Sequence, residues 1–564
     1  MTVVKKVNLR YAIYLGTTLI TASIATGSFL AFSATAGRGA GESSADGYLP
    51  EAPSKPAAEA EDGYEEDTGG AADSADDQTE ETSSVTTPDE GDAASGKAAR
   101  QDKTNKKGKS SKGSFRPDPM YTETYDTMEQ TGIYGDKTAV EPPRPILELG
   151  RQQYTSGPYD ESSTIFGELN PLVPGLAIYG DSRTAIAYNS NNGKDIAQVA
   201  TRLNIDVDLK LTGTERIHAF FTPLQEDNRF TRFEFGGGDG DGELTSEFDP
   251  DLQTLFFEGD AGSIYSGFSG EEASFDLPFT VGLFPLFLQN GIWANDAILG
   301  GAVTLPAKNS AALGLSNFDI TFFGAFDNVD NASIVNEDGK VDNNKANLFG
   351  VTTFIDAFDG YIEAGYGLVQ GVDDRDDVLD HYLTAAYSRR YYNTLSNTTR
   401  LFANFSGDGN GDRDGFAVIS ENSLISGLPS TLVPYANFFI GVGNPKPLVD
   451  GNGAGILKNV GINFETDALT GYPKLDDTGS NTFGGAIGLQ YLFDLDQQLV
   501  FEVAFVEPFE DDGIGTDDTQ IGLGMRYQVP ITQAWLFRAD ATYQFNLGDA
   551  EDNFGVRAEV RRKF

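Results

Sequence analysis

A strict two-residue alternation of apolar and polar side chains leaves few folds open, because only an extended strand puts successive side chains on opposite faces. Residues 202–211 show it most clearly. Leu203, Ile205, Val207, Leu209 and Leu211 take one face, and Arg202, Asn204, Asp206, Asp208 and Lys210 take the other. Phe318, Ile320, Phe322, Gly324 and Phe326 repeat the pattern, as do Phe483, Ile487, Leu489, Tyr491 and Phe493. Leu499, Phe501, Val503 and Phe505 share a face, followed by Ile521, Leu523, Met525, Tyr527 and Val529, and then by Trp535, Phe537, Ala539, Ala541, Tyr543 and Phe545. Helical periodicity is essentially absent, so the chain reads as all-β.

The connections favour a closed, up-and-down antiparallel sheet. Short ones at 212–215, 357–360, 494–497 and 530–534 alternate with long Asp/Asn/Gly-rich ones near 222–252, 328–345, 406–415, 443–481, 508–518 and 546–553. Sorting of short turns to one end and long loops to the other is the signature of a transmembrane β-barrel. The strands counted from residue 174 predict about 16–18 in the wall, with residues 117–173 as a periplasmic lead-in. Tyr179, Tyr188, Tyr491, Phe493, Tyr527, Tyr543 and Phe545 stand near strand ends, where interfacial girdles require aromatics.

Composition is consistent with this reading and removes several others. The chain has 564 residues, no Cys, two His and a formal charge of -45. Disulfide frameworks, Cys-zinc sites and Cys nucleophiles are excluded. The acidity argues against nucleic acid, which needs a basic face. A mean hydropathy of -0.31 suits a sheet that faces lipid on one side and water on the other. No G-x-S-x-G elbow, H-E-x-x-H or phosphate loop occurs, so no enzyme is expected.

The N-terminus reads as a targeting segment and a tether. Lys5, Lys6 and Arg10 precede a largely apolar stretch, Tyr11 to Phe32, and Ala34-Thr35-Ala36 fits a cleavage site, so residues 1–36 are expected to be a signal peptide. Residues 37–96 hold 17 acidic side chains against two basic ones, too polar to offset the ordering entropy. Residues 97–116 reverse the sign, with eight basic residues facing Asp102. A solvated linker over 37–116 is the plainer reading, and a patch for peptidoglycan or another anionic envelope polymer is the sharper one.

Phe554, Val556, Ala558 and Val560 share a face with Phe564, against Arg557, Glu559, Arg561 and Lys563. This ending resembles the assembly signal of bacterial outer-membrane barrels. With the alternating strands from Gly175 to Phe564, the absence of Cys and the acidic loops, the chain resembles outer-membrane porins. Segments 170–189 and 280–301 are also somewhat similar to alginate-export-type porins. The resemblance implies passive diffusion of small hydrophilic solutes or ions, contact with outer-membrane lipid and lipopolysaccharide, and insertion by the barrel-assembly machinery at Phe564. A substrate-dedicated exporter or uptake channel and a structural or adhesive surface barrel stand as alternatives.

Side chains opposite the apolar face point into the lumen. The expected pore-lining set is Asp181, Arg183, Arg202, Asp206, Asp208, Lys210, Arg216, Arg526, Arg538, Asp540, Arg557, Glu559 and Arg561. Arginines facing acids set up a transverse field that filters ions, or simply pair and stiffen the wall. Lumenal groups in a wide barrel are expected to be hydrated. Pro285 interrupts a strand, since it cannot donate to a ladder. A bulge near the rim is the preferred account, and an inward segment carrying Trp293, Asn295 and Asp296 the alternative. Asp408, Asn410, Asp412 and Asp414 alternate oxygens as calcium likes them, but Arg413 and Ile419 break the EF-hand pattern, so solvated turns are the plainer reading and no cofactor is required.

Overall fold

The computed structural model describes residues 145–150 and 163–564, apart from 227–228, 237–241, 313–314, 337–339, 410, 428–430, 452, 454, 466–468, 494–496, 510–514 and 549. The signal-peptide and tether expectations lie outside the described residues. Eighteen strands form a closed antiparallel barrel. They are β1 (Gly175–Asn191), β2 (Lys194–Lys210), β3 (Arg216–Phe221), β4 (Leu252–Asp260), β5 (Pro278–Leu288), β6 (Ala294–Ser310), β7 (Leu315–Asp327), β8 (Ala346–Ala357) and β9 (Gly360–Gly371). The wall continues with β10 (Leu379–Tyr391), β11 (Leu395–Ser406), β12 (Gly415–Leu424), β13 (Leu432–Gly443), β14 (Thr482–Phe493), β15 (Gln497–Pro508), β16 (Gln520–Pro530), β17 (Trp535–Asn546) and β18 (Asn553–Lys563). Ring closure pairs β18 with β1 from Lys563↔Asp181 to Phe554↔Ser190. Phe564 completes it by exchanging two backbone hydrogen bonds with Gly180.

The barrel is inside-out relative to a soluble protein. Ile487 is 61% exposed, Val503 54% and Phe322 48%, and all point outward with Leu523, Met525, Val556 and Val560. Their inward neighbours Ala486, Glu502, Ala504, Arg526 and Arg557 are buried. A continuous apolar exterior of this kind is a lipid-facing belt, since in water it would be an aggregation surface. Arg562, the one break in the outward face of β18, lies 5.5 Å over the Trp535 ring at the strand end.

Two expectations about regular structure need correction. The turn between β4 and β5 holds a helix, α1 (Ala261–Ser269), which the alternation concealed because its sequence AGSIYSGFS is short and rich in Gly and Ser. Asp260 caps it by accepting from Ser263 N at 2.7 Å, and Gly270 ends it in the left-handed region. Pro285 marks no bulge, for the β5–β6 register runs unbroken from Leu288↔Ala294 to Phe279↔Val303. Instead, β4 pairs with β5 only as far as Leu283, and β7 pairs with β6 only from Leu299. The hairpin tip between them leaves the wall, so the missing donor of Pro285 costs no ladder bond.

The connection 444–481 is also more than an outer loop. It folds into the lumen, where Val449–Asp450 pairs in parallel with Ala294–Asn295. Leu448, Ile456, Leu457, Val460, Phe464 and Leu475 are buried there against the hairpin tip and the inward faces of β7 to β15. Trp293 sits over β9 so closely that a Cβ on Gly365 would lie 2.6 Å from its ring.

Candidate functional site

The lumenal wall made by β16, β17, β18 and β1 carries the charges. Strand register puts Arg526 opposite Asp540, Asp540 opposite Arg557, and Arg538 opposite Glu559. Asp540 is the shared acceptor. Arg526 Nε and Arg538 Nε each donate to it at 2.8 Å, and Arg557 donates through Nη2 at 2.8 Å and Nε at 3.2 Å. Arg183 grips Glu559 with two bonds, Nε to Oε1 at 2.9 Å and Nη2 to Oε2 at 3.0 Å. Arg561 Nε stands 2.9 Å from Asp181 Oδ2, and Asn204 donates to Asp181 Oδ1. Side-chain exposure in this network is 7% or less for every arginine, so these groups are not the hydrated lining that a wide barrel leads one to expect. The inward loop reaches Arg526 and Arg538 through Glu465, and Arg557 through Tyr472. Burial makes their mutual satisfaction obligatory, because an unpaired buried charge is strongly destabilising.

The structure thus brings together Asp181, Arg183, Arg526, Arg538, Asp540, Arg557, Glu559 and Arg561. The remaining members of the expected lining continue from it onto the neighbouring strands, with Arg202 opposite Arg183. Arg202, Asp206, Asp208, Lys210 and Arg216 lie on β2 and β3, half-buried. Arg202 lies 5.8 Å from the Phe230 ring, and Arg216 stands 3.8 Å from Asp208. His218, opposite Asp208, meets Glu258 at 3.0 Å and stacks on Phe256.

Trp293, Asn295 and Asp296 are at the hairpin tip, inside the barrel. The Trp293 carbonyl accepts from Leu448 N, the Asn295 carbonyl from Gly451 N, and Asp296 Oδ2 from Asp330 N. Trp293 and Asn295 therefore fasten the tip to the inward loop, and Asp296 fastens it to the connection after β7. In the calcium candidate, Asp408 pairs with Arg413, which also reaches Asp380 at 3.0 Å. Asp414 Oδ1 accepts from Ser406 N, Asp412 lies in a 3-10 turn, and Asn410 is outside the described residues. Among the described residues no group of three acidic or His side chains is arranged to hold a metal.

Three residues of the site escaped the alternation pattern. Glu502, on the inward face of β15, accepts from Ile462 N, Asn463 N and Asn463 Nδ2 at 2.8–2.9 Å and from Tyr435 Oη at 2.5 Å. It clamps the loop to the wall. Glu465, two residues beyond that clamp, accepts from Arg526 Nη2 at 2.5 Å. Tyr472 lies 5.5 Å from the Arg557 guanidinium. A lone acid within LVFEVAF was a signal for Glu502. No periodicity marks Glu465 or Tyr472.

No family model matches the chain, and no curated protein matches it. Among solved structures it is similar to Pseudomonas aeruginosa OccK8 (OprE), with 11% identity, coverage of 69% of this chain and 98% of that one, and a TM-score of 0.46. P. aeruginosa OccK2 (OpdF) matches at 9% identity over 69% and 97% of the two chains, with a TM-score of 0.46. Acinetobacter baumannii OccAB4 matches at 10% identity over 69% and 97%, with a TM-score of 0.44.

Proposed function

We propose that the chain is a passive channel of a bacterial outer membrane for small hydrophilic solutes or ions. One observation carries the reading: a lipid-facing apolar exterior encloses a lumen whose β16–β1 wall is a continuous row of arginines and carboxylates. A row of charges along a lumen sets up a field that acts on charge passing through it. The narrowing of the lumen by residues 284–298 and 444–481 favours sieving of small solutes over passage of a polymer. Export by residues 1–36, insertion through Phe564, lipopolysaccharide contact and divalent ions at the outer loops belong to the same proposal, and the channel is read as a non-enzyme.

The test is planar-bilayer recording of purified, folded protein. Stepwise conductance is expected, with a reversal potential that moves when Arg526 and Arg538 are replaced by Gln. Folded protein that never conducts would sink the reading.

A further inference from the structure

The apolar exterior does not end at the base of β4. Leu255, Phe257 and Gly259 share its outward face, opposite Leu283, Val281 and Phe279 of β5, and the Phe257 and Phe279 rings lie 5.8 Å apart. A Cβ on Gly259 would fall 3.3 Å from Glu215 Cγ, so the Glu215 side chain lies on this outer face. Glu215 in turn accepts from Asn170 Nδ2 at 2.8 Å. The lead-in around Asn170 therefore reaches the barrel on its outer face.

The helix α1 is seated on that segment. Gly167 and Gly267 meet backbone to backbone, and a Cβ on either would overlap a carbonyl oxygen of the other segment, Gly267 O or Phe166 O. The buried face of α1 is thus made of Gly262, Ser266 and Gly267, while the face turned away carries Tyr265 and Phe268, 50% and 75% exposed. Phe275 lies 6.3 Å from the Tyr265 ring, and Ile165 and Leu169, which flank the Gly167 contact, are exposed as well. A helix that buries glycine and presents aromatic rings is the reverse of one made for water.

The lead-in extends the same exterior at the seam. Strand Leu147–Gly150 pairs antiparallel with β1, Leu147 opposite Ile178 and Leu149 opposite Leu176. Those β1 residues have the parity of the outward Ile186 and Tyr188, so Leu147 and Leu149, both exposed, stand on the lipid side beyond the last β18–β1 pair.

We infer that α1 and the lead-in (145–150 and 163–174) form an interfacial skirt seated in the phospholipid of the periplasmic leaflet, with Tyr265 and Phe268 at the boundary between headgroups and acyl chains. The β4–β5 connection lies at the same end as the short 212–215 turn, the periplasmic end of such a barrel. Continuity with the apolar exterior selects lipid over a protein partner, because both segments lie on the outward face and aromatic side chains are favoured at that depth. The exposed Glu271 and Glu272 follow the Gly270 cap and stay in the headgroup water. The inference rests on the outer-membrane reading and not on conductance.

The test uses folded full-length protein in phosphatidylethanolamine–phosphatidylglycerol vesicles. Trp535→Phe removes the exposed native tryptophan, Phe268→Trp supplies the reporter, and Trp293, buried in the lumen, remains as a constant background. Phospholipid brominated near the headgroup end of its acyl chains is expected to remove about half of the added emission, and aqueous iodide much less. Quenching by iodide as strong as that by brominated lipid overturns the inference, since α1 then faces the periplasm. Quenching by neither also overturns it, because protein then covers the helix. If Phe268→Trp does not fold, Tyr265→Trp in the same background reports from the same face and is read in the same way. A lipid-quenched barrel that never conducts removes the channel reading alone, and a conducting one quenched chiefly by iodide removes this inference alone.

Discussion

From β7 to β15 the lumenal side chains include Phe323, Leu348, Val369, Phe402, Ile419, Phe439 and Val506, while from β16 to β1 they include Arg526, Asp540, Arg557, Glu559 and Arg183. Both walls have the same ladder geometry and the same lipid-facing exterior. They differ in how each holds the loop 444–481. Apart from the Glu502 clamp, the apolar wall holds it by burial, with Phe464 edge-on to Phe439 at 5.8 Å. That is a non-directional hold which survives small shifts. The charged wall holds it through Glu465 and Tyr472, contacts that work only at one distance and one protonation state. One loop thus has a greasy side that keeps it in place and a polar side where charge can act on it.

The strongest way to break the contrast is to remove the loop. Replacing residues 448–475 by a short Gly-Ser linker should raise single-channel conductance several-fold while the barrel keeps its heat-modifiable migration on gels, because the wall is closed by its own ladder. Asp540→Asn attacks the charged wall alone. Three arginines lose their common acceptor, and a loss of about 3–5 kcal/mol is expected, measured as a lower thermal midpoint of the barrel. Phe464→Ala attacks the apolar wall. It should cost at most about 3 kcal/mol, since loop segments can partly close the cavity, and it should register as faster proteolysis of the loop with an unchanged barrel midpoint.

The smallest effect expected is with pH. Glu465 is pushed up to about 7, above the usual carboxylate range, by burial, with Arg526 opposing and Asp540 and Glu502 adding to the rise. Arg538 stands near it as well, and Tyr435 faces it from β13. The carboxylate is charged at pH 8 and largely protonated at pH 6. The Arg526 pair belongs to the charged form, but burial outweighs it, so the docked loop favours the protonated form and should gain stability as pH falls across that window, read as slower proteolysis of the loop. In Glu465→Gln that dependence should be absent.

The wall was legible because the physical rule is local. Lipid on one side imposes period two, so the outward faces of β2, β7 and β14 to β18 could be read directly, and Arg538, Asp540, Arg557 and Glu559 were assigned to the lumen by parity alone. The helix α1 escaped because nine residues between strands carry no strong pattern, and α1 is held in part by its Asp260 cap. The hydration of the lumen was misjudged. The inward glycines Gly365, Gly522 and Gly524 were visible, but a glycine on a lumenal face does not say what occupies the space it leaves.

The sequence by itself determined that these strands have a wet and a greasy face, that the greasy face looks outward, and which residues therefore line the interior. Side-chain parity is a property of neighbouring residues, and no distant contact is needed to read it. Tertiary structure alone decided that residues 284–298 and 444–481 turn inward, that Asp540 gathers three arginines, and that Glu465 meets Arg526. Those outcomes depend on which segments meet across the lumen: Glu465 and Arg526 are 61 residues apart, and Arg183 and Glu559 are 376 apart. The inward fold of the loop brings the first pair within hydrogen-bonding distance, and closure of the ring the second.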